Sequence, residues 1–178
     1  MADSHTPGRR RAAVRFFGIY RGTVTNNLDP EQRGRVLVLC PDVSGEATTW
    51  AMPCVPLAGP QMGVFVVPPV GAGVWLQFEA GSPDSPVWMG GFWADAAQVP
   101  ALAAAALAGS GIVLQSLGQN ALVLSDAAGP TGGILLKSPG GASIAVNDAG
   151  ITLENGKGAS IVMQGPTVAI NGDALEIT

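Results

Sequence analysis

The chain has 178 residues, 47% of them hydrophobic and only 12% charged, with 25 Gly and 14 Pro, which is enough for one ordinary domain and a turn-rich β region. Its net charge of -4 is unevenly placed: residues 1–40 carry seven Arg against Asp3, Asp29 and Glu31, whereas residues 41–178 carry Lys137 and Lys157 against ten acids. A basic head and an acidic remainder suit docking at one end and solubility at the other, and a membrane helix is excluded because no window reaches roughly twenty apolar residues.

Residues 1–15 read as a flexible basic arm. They hold the run Arg9-Arg10-Arg11 and Arg15 but no apolar stretch of signal-peptide length, so synthesis in the cytoplasm is expected. The three arginines suit an acidic protein surface or nucleic acid, or form a solvated arm that binds neither. From Phe16 to Trp93 the pattern is all-β. Strands are predicted at Phe16–Thr25, Arg35–Cys40, Trp50–Val55, Val64–Val67, Gly73–Phe78 and Val87–Trp93, broken by Asn26-Asn27-Leu28-Asp29-Pro30, by Pro68-Pro69-Val70-Gly71 and by Gly81–Pro86. Five or six short strands in so few residues suit a small closed barrel of the OB type, since closure removes exposed strand edges. Cys40 and Cys54 have no His or second Cys pair nearby, so no metal site is expected, and both thiols are read as buried small hydrophobes. Residues 94–110 form an Ala-rich linker, with helix predicted over Ala101–Ala108.

Residues 111–178 repeat one five-residue unit eight times: a small residue, an aliphatic, a free position, an aliphatic or Met, and then a polar residue. The copies begin at Gly111, Ala121, Gly133, Ser143, Gly150, Ser160, Thr167 and Ala174. Apolar side chains two apart lie on one side of a strand, so every copy reads as a short strand with an aliphatic face. That face comprises Ile112, Leu114, Leu122, Leu124, Ile134, Leu136, Ile144, Val146, Ile151, Leu153, Ile161, Met163, Val168, Ile170, Leu175 and Ile177. Nothing else in the region is available to cover these side chains, each worth about 1.5–3 kcal/mol when fully buried. The face is therefore expected to meet other copies of itself, with closed cyclic symmetry avoiding an open filament. The expectation is a homotrimer: an OB barrel followed by an intertwined triple-stranded β-helix, or trimeric β-prism. A single-chain β-helix, or a flat sheet packed on the first domain, is the alternative.

An ordered set of residues resembles a known family. It runs Gly22-Thr23-Val24-Thr25-Asn26-Asn27 with Asp29-Pro30, Gly34-Arg35-Val36-Leu37-Val38 with Pro41, Trp50, Pro68-Pro69-Val70-Gly71-Ala72-Gly73-Val74-Trp75-Leu76-Gln77-Phe78, and Ser85-Pro86-Val87-Trp88-Met89-Gly90-Gly91. Together these resemble the OB domain of contractile-tail spikes, the group of phage baseplate assembly protein V and the valine-glycine repeat proteins of type VI secretion. The resemblance covers about residues 18–93, and the repeat after it is similar to the trimeric shaft of those spikes. It implies a rigid trimeric point at the centre of a phage-tail-like baseplate, driven through a target envelope on sheath contraction, with only transient membrane contact. Type VI members carry large hub domains ahead of the barrel. The short arm here therefore implies a separate hub trimer at the N-terminal end, with Arg9, Arg10, Arg11 and Arg15 as its candidate contacts. At the other end, Leu175, Glu176, Ile177 and Thr178 are the candidate seat of a PAAR-type tip protein. Some relatives end in a His-x-His iron site, but the one His here is His5, so no metal is expected.

Enzymatic function is not expected. The sequence has no nucleophile elbow, Walker loop, Cys/His cluster or paired carboxylates of a glycosidase, and no cofactor is implied. Asp126, Asp148 and Asp173 sit in turns without the spacing of calcium repeats. Two competing readings are a single-stranded nucleic-acid-binding OB protein with a trimerising tail, and a receptor-binding fibre. The first has Trp50, Trp75, Phe78, Trp88, Phe92 and Trp93 as stacking rings, but residues 41–93 contain Asp42, Glu46, Glu79 and Asp84 and no Lys or Arg.

Overall fold

The computed structural model describes residues 14–106, 111–172 and 174–177, in two units, Met1–Ala94 and Asp95–Thr178. In the first unit the strands are β1 (Tyr20–Asn26), β2 (Leu37–Leu39), β3 (Met52–Pro53), β4 (Ala58–Gly59), β5 (Met62–Gly63), β6 (Gly73–Phe78) and β7 (Pro86–Phe92). Five of them form a sheet in the order β2-β1-β6-β7-β3, antiparallel except for the β3–β7 pair. The sheet then closes on itself. Ala51 N donates to Val36 O at 2.8 Å, Val36 N donates to Ala51 O at 3.2 Å, and Thr48 N donates to Val38 O at 2.7 Å. These bonds join the two edge strands and leave a small barrel without a free edge, as the strand count requires.

Strand alternation fills the barrel. In β6, Val74, Leu76 and Phe78 point inward while Gly73, Trp75 and Gln77 are half-buried. Val24, Val36, Val38, Cys40, Ala51 and Trp88 complete the core, and the Trp88 indole N–H is satisfied by Gly34 O at 3.2 Å. Gly22 is required by packing, because a Cβ there would collide with Val38. Both cysteines are free: Cys40 is buried, as expected, but Cys54 is exposed. Burial, helped by the charge of Asp42, pushes the Cys40 thiol up.

The turn after β1 is tied down by one carboxylate. Asp29 Oδ1 accepts from Arg35 Nη2 at 2.7 Å, Arg35 Nε at 3.1 Å and Glu31 N at 3.0 Å; its Oδ2 accepts from Arg33 N at 2.8 Å and Arg35 N at 3.2 Å. Arg35 also pairs with Glu31 at 3.1 Å, and its guanidinium carbon lies 5.6 Å from the centre of the Trp50 ring. The Arg35 hydrogen bonds, outweighing the opposing effect of burial and aided by the three backbone N–H donors, hold the Asp29 carboxyl far below the usual carboxylate range.

The predicted strand at Val64–Val67 is not formed. Those residues follow the separate β4–β5 hairpin without joining a sheet: Val64 N donates to Leu57 O at 3.0 Å, and Val64, Phe65 and Val66 are exposed.

In the second unit a 3-10 turn at Ala96–Gln98, capped by Asp95 accepting from Ala97 N, leads to helix α1 (Ala101–Ala106); residues 107 and 108 of the predicted helix lie outside the described residues. Eight strands follow: β8 (Gly111–Gln115), β9 (Ala121–Ser125), β10 (Gly133–Lys137), β11 (Ala142–Asn147), β12 (Gly150–Asn155), β13 (Ser160–Gln164), β14 (Thr167–Ile170) and β15 (Leu175–Ile177). They form one sheet in strict chain order, each strand antiparallel to the next. Every repeat of the sequence thus becomes one strand. The turns use the residues expected of them: Asn155 Oδ1 accepts from Lys157 N and Ala159 N, and Asn147 Oδ1 accepts from Ala149 N. Gly133 and Gly150 hold left-handed φ values of 81° and 139° at strand starts, where a Cβ would strike the backbone of the next strand.

The Asp29 carboxylate gives a pH prediction for the barrel. Its folded pKa is depressed, so its stabilisation is fully present above the unfolded value of about 3.9 and is lost as pH falls below that value. All four Trp lie within residues 50–93, so tryptophan fluorescence reads this unit alone. Asp29→Asn is expected to lower the urea midpoint at pH 7, and the gap between wild type and variant is expected to narrow between about pH 4 and pH 2. A gap that does not change with pH would contradict the assignment.

Candidate functional site

The strand registers place the aliphatic pairs of the repeat in two unbroken rows across one face of the β8–β15 sheet. The first row runs Ile112, Leu124, Ile134, Val146, Ile151, Met163 and Val168, with Ile177 at the next register position; the second runs Leu114, Leu122, Leu136, Ile144, Leu153, Ile161, Ile170 and Leu175. The register sets these residues directly opposite one another on neighbouring strands, the spacing at which cross-strand side chains interact. Above them there is no cover: Ile112 and Leu114 are 56% and 62% exposed, Ile134 and Leu136 45% each, and Ile144 41%. Val146, Ile161 and Leu175 are exposed as well, while Leu122, Leu124, Ile151, Leu153, Met163, Val168 and Ile170 are half-buried among their neighbours.

The opposite face is different in kind. One central row, Val113, Val123, Leu135, Ala145, Thr152, Val162 and Ala169, is flanked by polar residues such as Gln115, Lys137, Ser143, Glu154, Asn147 and Gln164. Helix α1 lies against β8 and β9, and the two side chains of those strands that are buried, Ala121 and Val123, belong to this second face. The chain thus covers the start of its polar-flanked face and leaves its two-row aliphatic face bare. A soluble chain rarely exposes so large a contiguous apolar surface unless it is an interface.

The remaining predicted site residues are not gathered into one place. Arg15 is exposed, with its Nη1 donating to Ala80 O at 3.2 Å, and Arg9, Arg10 and Arg11 lie outside the described residues. Leu175, Glu176 and Ile177 lie on β15, an edge strand paired only with β14, and Thr178 lies outside the described residues. Among the described residues no cluster of His, Cys, Asp or Glu has the form of a metal site. Asp148 instead ties the β11–β12 turn to the β9–β10 connection, with Oδ2 accepting from Gly129 N at 2.8 Å.

One constellation escaped the sequence reading. On the outside of the barrel the Trp75 and Phe92 rings lie 4.9 Å apart, and the Arg21 guanidinium carbon sits 5.2 Å from the centre of each. Their stack follows from the pairing of Arg21 with Trp75 and of Gly73 with Phe92, which only the register reveals. It argues against a nucleic-acid platform, because the barrel's own cation already occupies one face of both rings. Phe78 and Trp88, two more of the proposed stacking rings, are buried in the core.

A closed OB barrel followed by a meander with a bare aliphatic face defines a structural, self-assembling β protein. Its two parts match two family models: residues 20–93 match the type VI secretion system/phage-baseplate injector OB domain, and residues 111–176 match the phage baseplate V C-terminal trimerisation domain. The chain belongs to the baseplate spike family that these two domains define, a family of structural rather than enzymatic proteins. It is a baseplate component of a phage-tail-like particle, and its repeat region is a trimerisation domain, so the working molecule is a homotrimer. No curated protein matches the chain. Among the described residues no helix is long and apolar enough to cross a membrane.

Proposed function

We propose that three copies pack their two-row aliphatic faces around a shared axis into a rigid prism, and that this prism pierces the target envelope when the sheath contracts. The observation that carries this reading is the bare face itself. Within one chain every strand of the sheet pairs with the next, so each copy brings its two aliphatic rows as one continuous face. What they share is burial. The sixteen residues from Ile112 to Ile177 form the trimer core, and the polar-flanked face becomes the outer wall. Strand length is nearly uniform along most of the shaft, five or six residues from β8 to β13. Eight strands at about 4.8 Å give a shaft on the order of 40 Å. An antiparallel ladder closed at every step by a short turn leaves little that opens locally, which suits a part loaded along its length.

At the ends, the open edge of β15 seats a PAAR-type tip protein on Leu175, Glu176, Ile177 and Thr178, since an unpaired strand edge invites a partner. The basic arm, Arg9, Arg10, Arg11 and Arg15, meets an acidic surface of a separate hub trimer.

Two tests follow. In Leu153→Asp, three carboxylates would enter the shared core, each costing several kcal/mol unpaired. Light scattering is expected to give monomer for this variant and trimer for Thr152→Asp on the outer wall; a trimeric Leu153→Asp protein contradicts the packing. For the ends, adding a PAAR protein is expected to slow amide exchange at residues 174–177, and Arg-to-Glu changes at 9, 10, 11 and 15 are expected to weaken hub capture in a salt-dependent way. Unchanged exchange, or hub capture indifferent to those changes, would remove the respective partner.

A further inference from the structure

The two lateral margins of the β8–β15 sheet differ in charge. A meander in strict chain order puts alternate connections on alternate sides: those after β9, β11 and β13 lie along one margin, and those after β8, β10 and β12 along the other. Asp126 and Asp148 stand on the first margin, immediately after β9 and β11. Lys137 ends β10 and Lys157 lies in the connection after β12, so both stand on the second. These lysines are the only Lys or Arg of residues 41–178. All four side chains are exposed, and among the described residues neither lysine forms an ion pair within its own chain. The aspartate margin is built as one piece: Gly129 N donates to Asp148 Oδ2 at 2.8 Å and Asn147 Nδ2 donates to Pro130 O at 3.0 Å, tying the connection after β9 to the turn after β11. Two open grooves of about 480 and 430 Å³ lie along the lysine margin, lined by second-row aliphatics such as Leu136, Ile144 and Leu153.

We propose that in the homotrimer the Asp126 and Asp148 margin of one copy lies against the Lys137 and Lys157 margin of the next, with Lys137 paired to Asp126 and Lys157 to Asp148 at each of the three seams. The contact rests on the packing of the shaft proposed above. Three sheets related by rotation about the axis along which their strands stack must each set one margin against the opposite margin of a neighbour. The occupant is a second copy, because all four residues fall within 111–176, the trimerisation domain itself. The spacing of the charges fits. Asp126 and Asp148 follow strands two apart, Lys137 and Lys157 do likewise, and each lysine stands one strand further along than its aspartate. An axial offset of a single strand, about 4.8 Å, therefore aligns both pairs at once. An offset in the other sense sets Asp148 beside Lys137 and leaves Asp126 and Lys157 alone. Glu154 stands near the end of β12 on the lysine margin, so Lys157 lies between that carboxylate and the neighbour's Asp148. Exposed ion pairs add little stability, so these select one alignment among those that two uniform aliphatic rows would otherwise allow to slip by a strand.

Carbodiimide joins an amine directly to a carboxylate in contact with it, and for these residues it reads only contacts between copies. Within one chain Lys137 and Asp126 lie at opposite ends of five-residue strands, on the order of 15 Å apart, and Lys157 and Asp148 are separated across β12 in the same way. Purified full-length chain is treated with carbodiimide, linked peptides are identified by mass spectrometry, and the mass of the untreated sample is read by light scattering. Expected is a trimer in which Lys137 is linked to Asp126 and Lys157 to Asp148. The first link is expected to fall at least fivefold in Asp126→Asn, itself still trimeric, and to return when Asp126→Lys is combined with Lys137→Asp. A trimer whose lysines link to no carboxylate, or only to Glu154, or in which Lys137 is joined to Asp148, overturns the margin contact and leaves the three-copy packing standing; a monomer overturns both.

Discussion

The structure of the C-terminal unit is governed by a mismatch between two kinds of satisfaction. Between its two edge strands the backbone is hydrogen-bonded strand to strand through an antiparallel meander. Its side chains lack such partners, because sixteen aliphatic positions fall in two rows on one face and those whose burial is described are exposed or half-buried. Hydrogen bonds therefore fix the form of the sheet, while the hydrophobic effect demands company for it. A sheet of this kind can be built before assembly and buried by assembly.

The barrel solves the same problem inside one chain. Its five strands curl until Val36 meets Ala51, and the edge that a flat sheet would expose disappears. The Asp29 carboxylate, holding three backbone N–H groups and the Arg35 guanidinium, fixes the turn that brings β2 beside β1. Specific polar contacts thus set the loop geometry while Val, Leu and Trp side chains fill the interior. Apolar side chains also stand on the outside of this unit, at Phe17, Ile19, Leu28 and Trp93 as well as from Leu57 to Val66.

Much of this was legible in the sequence because it is periodic. Each five-residue repeat carries its aliphatics two apart, so the positions of all eight shaft strands and the membership of the aliphatic face could be read without knowing any pairing. The antiparallel meander could not, since repeat spacing is equally compatible with strands shared between chains. In the barrel, Gly73–Phe78 was read to the residue, but Val64–Val67 was mistaken for a strand: a run of Val and Phe carries strand propensity whether or not a partner edge is within reach. The Asp29–Arg35 clamp was hidden because Asn-Asn-Leu-Asp-Pro reads as a turn, and nothing local announces that one carboxylate gathers five donors. The Arg21, Trp75 and Phe92 stack and the exposure of Cys54 likewise depend on register and folding rather than on neighbours in sequence.

The central claim is that the aliphatic face of the shaft is buried only between three copies. Sedimentation equilibrium of the purified full-length chain, extended to the lowest concentration that absorbance can follow, tests it most directly. The account predicts a single species of three times the chain mass with no dissociation on dilution; a stable monomer with cooperative unfolding, or a dimer that closes the face in pairs, would contradict it.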